Sequence, residues 1–119
     1  MLRDFQAFQM AKKLHWACKD LRISGYLRDQ LMRASASVAL NTAEGSGKRT
    51  PQDQGRFYGM ALGSLRECSA ILELENIQNL ELLQLIDQLG AILYTLSRKA
   101  PKNRSCTETE TVTETATDL

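Results

Sequence analysis

The sequence predicts an all-α fold: an antiparallel, up-down-up-down four-helix bundle. Three observations predict it. Apolar residues recur at alternating steps of four and three in four successive segments, the spacing of one helix face. Only two prolines occur in 119 residues, and β-branched residues are sparse before position 107. Glycine- or asparagine-containing breaks separate the segments at short intervals, and short connections make consecutive helices antiparallel neighbours.

Helix 1 is expected from Asp4, as N-cap, to about Arg22, with Ala7, Ala11, Leu14, Cys18 and Leu21 as its stripe. Ser24-Gly25 is expected to end it. Helix 2 is expected from Tyr26 to Glu44, on Leu27, Leu31, Ala34, Val38 and Asn41. Ala36, Ala39 and Ala43 give it a second, small-residue face. Gly45-Ser46-Gly47 is expected to terminate it, with Gly45 at positive φ. Helix 3 has the clearest start: Thr50 as N-cap, Pro51 at N1 and Asp53 at N3. Its stripe is Phe57, Ala61, Leu65, Cys68 and Leu72. Gly55, Gly59 and Gly63 fall at i, i+4 and i+8, and each interior glycine costs about 1 kcal/mol against alanine. They suggest a face where another backbone approaches closely. Helix 4 is expected after a break at Asn76–Asn79, with Asn79 as N-cap and Ala100-Pro101 as its end. Its stripe is Leu82, Ile86, Leu89, Leu93 and Leu96, widened by Leu83, Leu85 and Ile92.

Residues 1–104 form the expected domain. The remainder, 105–119, reads as a disordered acidic Thr/Glu tail with too little apolar surface to fold. The charge divides along the same boundary. All 15 Lys and Arg and ten of the 14 acids lie in 1–104, so that segment carries +5 and the tail −4. A mildly basic domain permits a polyanionic partner, and it equally describes an ordinary solvated surface. Three cysteines with no C-x-x-C, Cys18, Cys68 and Cys106, argue against a disulfide framework and for a reducing cytoplasm. Cys18 and Cys68 sit in apolar registers, whereas Cys106 lies in the polar tail. There is no run of about 18 apolar residues, so no membrane span is expected. M-L-R-D-F-Q shows no signal-peptide core.

Catalytic machinery is not legible. The single histidine, His15, borders the helix 1 stripe and reads as a half-buried packing residue. With no second His and no Cys/His cluster, neither a zinc site nor a nucleophile–base pair is expected, and no cofactor is implied. Gly45-Ser46-Gly47-Lys48-Arg49-Thr50 departs from a Walker A loop: position 42 is Thr, position 49 is Arg, and a helix precedes it. Lys48 and Arg49 do precede a helix N-terminus, where anions are favoured. Together with Arg56, Lys12 and Lys19 they are the candidate nucleic-acid contacts. Aromatic residues do not interleave with the cations along the chain, so base stacking is not suggested. Trp16, off its stripe, is an interface anchor or a ring lying along its own helix. Glu44 and Glu67 fall near small-residue faces, read as partly buried acids bonding helix ends or a neighbour's cations.

The order Asn41-x-Ala43-Glu44-Gly45, then Phe57, Ala61, Gly63-Ser64 and Glu67, resembles the four-helix-bundle family encoded in intervening sequences of large-subunit ribosomal RNA genes. That family includes accessory proteins of diversity-generating retroelements. The resemblance spans about residues 4–98. It implies a ring-like homopentamer. For retroelement members it implies binding to nucleic acid and to the element's reverse transcriptase. It implies structural roles for Asn41, Glu44, Gly45, Gly63, Ser64 and Glu67, and no catalytic residue. The resulting expectation is a non-enzymatic, self-associating scaffold, an accessory subunit for nucleic acid and a reverse transcriptase. A protein-only oligomeric scaffold is the alternative.

Overall fold

A computed structural model describes residues 5–98. Four helices account for nearly all of them: α1 (Gln6–Lys19), α2 (Gly25–Ser46), α3 (Pro51–Leu74) and α4 (Leu80–Arg98). No strand occurs among the described residues. α2 packs between α1 and α3, and α4 packs on α3 and α1, so the fold is all-α and consistent with a four-helix bundle. One core joins them. Ala7, Ala11, Leu14 and Cys18 of α1 meet Leu31 and Val38 of α2, Leu65 and Cys68 of α3, and Leu89 and Leu93 of α4, all buried. The expected tail and the Ala100-Pro101 stop lie outside the described residues.

The predicted caps of α3 and α4 are present. Thr50 Oγ1 accepts from the Asp53 N–H at 3.1 Å, with Pro51 as the first helical residue. Asn79 Oδ1 accepts from the Leu82 N–H at 3.1 Å. Each satisfies one of the four free donors of a helix start.

The α1–α2 connection differs from expectation. Asp4 lies outside the described residues, and Phe5 occupies the N-cap position without a side-chain cap. α1 stops at Lys19, three residues before Arg22. The cause sits on α2: the Arg28 guanidinium donates to the Lys19 and Leu21 carbonyls, each at 2.8 Å. Carbonyls that a longer helix would bond internally are satisfied from outside. Ser24 and Gly25 do not end α1; they start α2, with Ser24 at its N-cap position and Gly25 its first residue. The Ser24 hydroxyl donates to Glu75 Oε2 at 2.7 Å, tying the start of α2 to the end of α3.

α2 continues through Gly45 to Ser46, and no described glycine has positive φ, so the expected left-handed Gly45 is wrong. Gly47 caps the helix at φ −94°. Gly45 is glycine for another reason. A Cβ there would lie 2.8 Å from Tyr58 Cε1. The Tyr58 ring lies against α2 at Gly45, and Phe5, at the N-cap of α1, meets it at a centroid distance of 6.1 Å. The apolar registers shift to match. Tyr58 is buried where Phe57 was expected, and Thr42 is buried where Asn41 was expected. Asn41 turns instead to the α2–α3 seam, where it bonds Ser37, and the core position falls to Thr42, whose hydroxyl donates to the Val38 carbonyl at 2.7 Å.

The left-handed residue is Asn76, at φ 54°. The Ile77 N–H bonds the Leu72 carbonyl at 2.9 Å and the Asn76 N–H bonds that of Glu73 at 3.0 Å, the paired bonds of a Schellman motif. Asn tolerates this conformation better than other side chains. Asn76→Ala is expected to lower stability by about 1 kcal/mol, and Asn76→Gly to leave it equal or higher. Urea denaturation of the two variants checks this.

Candidate interaction surface

The family-motif residues converge on the seam between α2 and α3, and on its outer side. Ser37 Oγ and Ser64 Oγ are 2.8 Å apart across the seam. Asn41 Nδ2 donates to the Ser37 carbonyl at 3.0 Å and to Ser37 Oγ at 2.9 Å. This half-buried polar cluster sets the register of the two helices. Around it, Ser37, Leu40 and Glu44 recur at i, i+3 and i+7 along α2, and Met60, Ser64 and Glu67 at i, i+4 and i+7 along α3. Each triplet holds one side of its helix. Leu40 is 68% exposed and Met60 42%.

Glu44 and Glu67 are both exposed, correcting their expected partial burial. Their positions are outward because the core face of α2 runs through Val38, Thr42 and Gly45, and that of α3 through Ala61, Leu65 and Cys68. Glu44 pairs with Lys48 of its own helix end at 3.1 Å. Gly59 and Gly63 are exposed and face open space, so no contact within the chain requires glycine at either position. Gly55, by contrast, is buried.

The candidate cations separate into groups. Lys48 and Arg56 flank one ring: Lys48 Nζ lies 4.9 Å and the Arg56 guanidinium carbon 5.0 Å from the Phe57 centroid. Arg49 is exposed in the turn beside them. Asp53 lies 3.8 Å from Arg56 and adds negative charge to the first turn of α3. Lys12 lies over Trp16 at 5.3 Å and near Phe8 at 5.9 Å. Lys19, two turns further along α1, stands with the carbonyls that Arg28 binds, away from the Lys48 turn. Aromatic rings and cations therefore do interleave, in space rather than along the chain. Helical spacing carries that signal: Phe8, Lys12 and Trp16 stand four residues apart, and Arg56 precedes Phe57. Trp16 is 55% exposed, as an interface anchor requires.

His15 is half-buried, with Nδ1 2.7 Å from Oγ of the fully buried Ser35. Burial foremost, and then the Lys19 ammonium, hold its pKa below the ordinary 6.5. The unfolded chain therefore binds the proton more readily than the folded one. The stability His15 contributes is complete above about 6.5 and declines as pH falls below it toward the folded-state value. Thermal melts from pH 7.5 to 5 are expected to show this decline, and His15→Gln to reduce it. The Cys18 thiol is pushed up to about 11 by burial. Burial raises the Cys68 thiol further, aided by Cys18 and Glu67. Both are protonated, small core residues at neutral pH. Cys106 lies outside the described residues. No grouping of three or more His, Cys, Asp or Glu suited to a metal occurs among the described residues. None of the described helices is long and apolar enough to cross a membrane.

A family model described as 23S rRNA-intervening sequence protein matches residues 5–99. Neither a curated protein nor a solved structure matches the chain. The matched span takes in all four helices, the polar seam and the Lys48 turn. The chain belongs to the 23S rRNA-intervening sequence protein family.

Proposed function

We propose that this protein is a non-enzymatic, self-associating scaffold. Its helices run alternately up and down, and copies assemble through the outer α2–α3 seam into a ring-like homopentamer. The assembly serves in the cytoplasm as an accessory subunit that binds nucleic acid, a reverse transcriptase or both in a retroelement-type complex. One observation carries the reading. Asn41, Glu44, Gly63, Ser64 and Glu67 line the surface of the seam rather than the core, beside exposed Leu40 and Met60. Exposed apolar side chains beside a polar seam, here Leu40 and Met60, are available to another chain. The alternating direction is supported by contacts at both ends of α3: Phe5 meets Tyr58 near its start, and Ser24 meets Glu75 at its end. Gly90 of α4 packs on Leu65 of α3, and the two line a groove of about 260 Å3 together with Leu62, Ser69, Ile86 and Tyr94.

Five copies would repeat Lys48, Arg49 and Arg56 around a ring and multiply a modest charge. Binding to RNA and DNA is then largely independent of sequence and falls steeply with salt. Fluorescence anisotropy at two salt concentrations is the test. Replacing Lys48 and Arg49 together by Ala is expected to weaken binding several-fold and flatten the salt slope. A second reading, a protein-only scaffold, is favoured by the acids already beside two of these cations, Glu44 at Lys48 and Asp53 at Arg56. Absence of binding at low salt selects it.

A further inference from the structure

We infer that α2 of one copy packs beside α3 of the next, with the two copies pointing the same way, and that Arg33 pairs with Glu67 across that contact. This pairing deepens the assembly reading above and rests on it. Tyr26, Arg33 and Leu40 recur at steps of seven along α2, and Met60, Glu67 and Leu74 at steps of seven along α3; all six are exposed. Seven residues are nearly two turns, so each triplet runs along one side of its helix, drifting about 20° per step. That side is the outer side of the seam, where Leu40 and Met60 flank the contact of Ser37 with Ser64. Four of the seven exposed large apolar side chains among the described residues stand on this strip.

Contacts across the seam set the levels. Gly45 lies against Tyr58, Ser37 Oγ is 2.8 Å from Ser64 Oγ, and Ser24 Oγ is 2.7 Å from Glu75 Oε2. Going back along α2 therefore goes forward along α3. Counted from Ser37 and Ser64 at about 1.5 Å per residue, Leu40 is level with Met60, Arg33 with Glu67 and Tyr26 with Leu74, each to within about one residue's rise. The strip is thus apolar, charged and apolar at successive levels about 10 Å apart. At the charged level the cation is on α2 and the acid on α3. Neither is used at home: the ion pairs among the described residues are Lys48 with Glu44 and Arg56 with Asp53.

These levels decide how a neighbour is turned. Rotation about an axis along the helices keeps every residue at its height. α2 of one copy then meets α3 of the next with Tyr26 against Leu74, Arg33 against Glu67 and Leu40 against Met60. A cyclic assembly repeats that contact at each interface. Beyond Leu40 and Met60 the next level sets Glu44 of α2 against Arg56 of α3, again of opposite sign. A neighbour turned end over end about the charged level would instead oppose Arg33 to Arg33 and Glu67 to Glu67, and like charges across an interface weaken it. The strip carries both signs, and its own levels supply the matching order, so the occupant is a second copy of this chain.

Charge reversal tests the pairing. Light scattering at micromolar concentration gives the mass of the wild type, Arg33→Glu, Glu67→Arg, the double variant Arg33→Glu/Glu67→Arg, and an equimolar mixture of the two single variants. Both side chains are exposed, so helical circular dichroism is expected to be unchanged in every chain. Each single variant places like charges at every interface and is expected to weaken self-association about 10-fold or more. The double variant restores opposite charges and is expected to recover the wild-type mass. In the mixture each contact between unlike variants is again of opposite sign, so mixed complexes are expected from chains that dissociate alone. Single variants that keep the wild-type mass overturn the pairing and leave self-association standing. Single variants that dissociate, with recovery in neither the double variant nor the mixture, overturn it too. A wild-type chain that is already monomeric overturns the assembly reading, and the pairing with it.

Discussion

Gly45→Ala is expected to destabilise the protein by about 1–2 kcal/mol, while Gly59→Ala stabilises it by up to about 1 kcal/mol. Neither glycine has positive φ; Gly59 is interior and its substitution gains about 1 kcal/mol of helix propensity, while Gly45, one residue from the end of α2, gains at most that. They differ in what the new methyl meets. At position 59 it enters open space. At position 45 it would sit 2.8 Å from Tyr58 Cε1 and 3.0 Å from Cδ1, closer than van der Waals contact allows. Tyr58 has little room to yield, being only 6% exposed and covered by Phe5. Overpacking of this kind costs about 1–3 kcal/mol and outweighs the propensity gain. A double-mutant cycle isolates the cause. In a Tyr58→Ala background, Gly45→Ala should become neutral or stabilising, because the clash is gone and the propensity gain remains. Thermal or urea denaturation of the four chains supplies the values. The same loss in both backgrounds would place the cost elsewhere than the ring.

What the sequence made legible follows a physical divide. Features written in a few adjacent residues were readable. Thr50-Pro51-Gln52-Asp53 and Asn79 name their caps because an N-cap oxygen reaches only two or three residues ahead. Ala7, Ala11, Leu14 and Cys18 of α1 and Leu82, Ile86, Leu89 and Leu93 of α4, all buried, were readable for the same reason of local period, whereas Leu21 falls beyond the end of α1 and Leu96 is half-buried. Features decided by a distant partner were not. Arg28 stops α1 from nine residues away through the Lys19 carbonyl. Gly45 looked like a helix-ending glycine, yet its need for a missing Cβ comes from Tyr58, thirteen positions on. Phe57 and Tyr58 offered nearly equal registers, since Tyr58, Ala61, Leu65, Cys68 and Leu72 also step by three and four. Only the ring's seat on Gly45 decides between them. Of the candidate site, the residues were legible and their arrangement was not. Asn41 and Ser64 gave no sign of meeting through Ser37, and the pairing of Lys48 and Arg56 across Phe57 requires the turn between α2 and α3 to be folded.

Placing a charge on the seam should abolish assembly and spare the fold. Leu40 and Met60 stand on either side of the Ser37–Ser64 contact, largely outside the core. A Cβ at Gly63, three residues after Met60, would meet open space, so a second backbone can approach there. If copies meet there, each Leu40 and Met60 passes from water into a contact, gaining about 25 cal/mol per Å2 of apolar area. Glutamate at either position reverses the sign, since an ionised carboxylate without a partner must be desolvated. In a ring the same charge recurs at every interface, and the penalties accumulate while the fold of each copy is untouched. Leu40→Glu and Met60→Glu are therefore expected to convert the oligomer to monomer in light scattering at micromolar concentration, with helical circular dichroism retained. Leu80→Glu is the control: Leu80 is 73% exposed, at the start of α4 and away from the seam, and the change should leave the mass unaltered. A wild-type protein that is already monomeric, or seam variants that stay assembled, would show that Leu40 and Met60 face solvent rather than another copy.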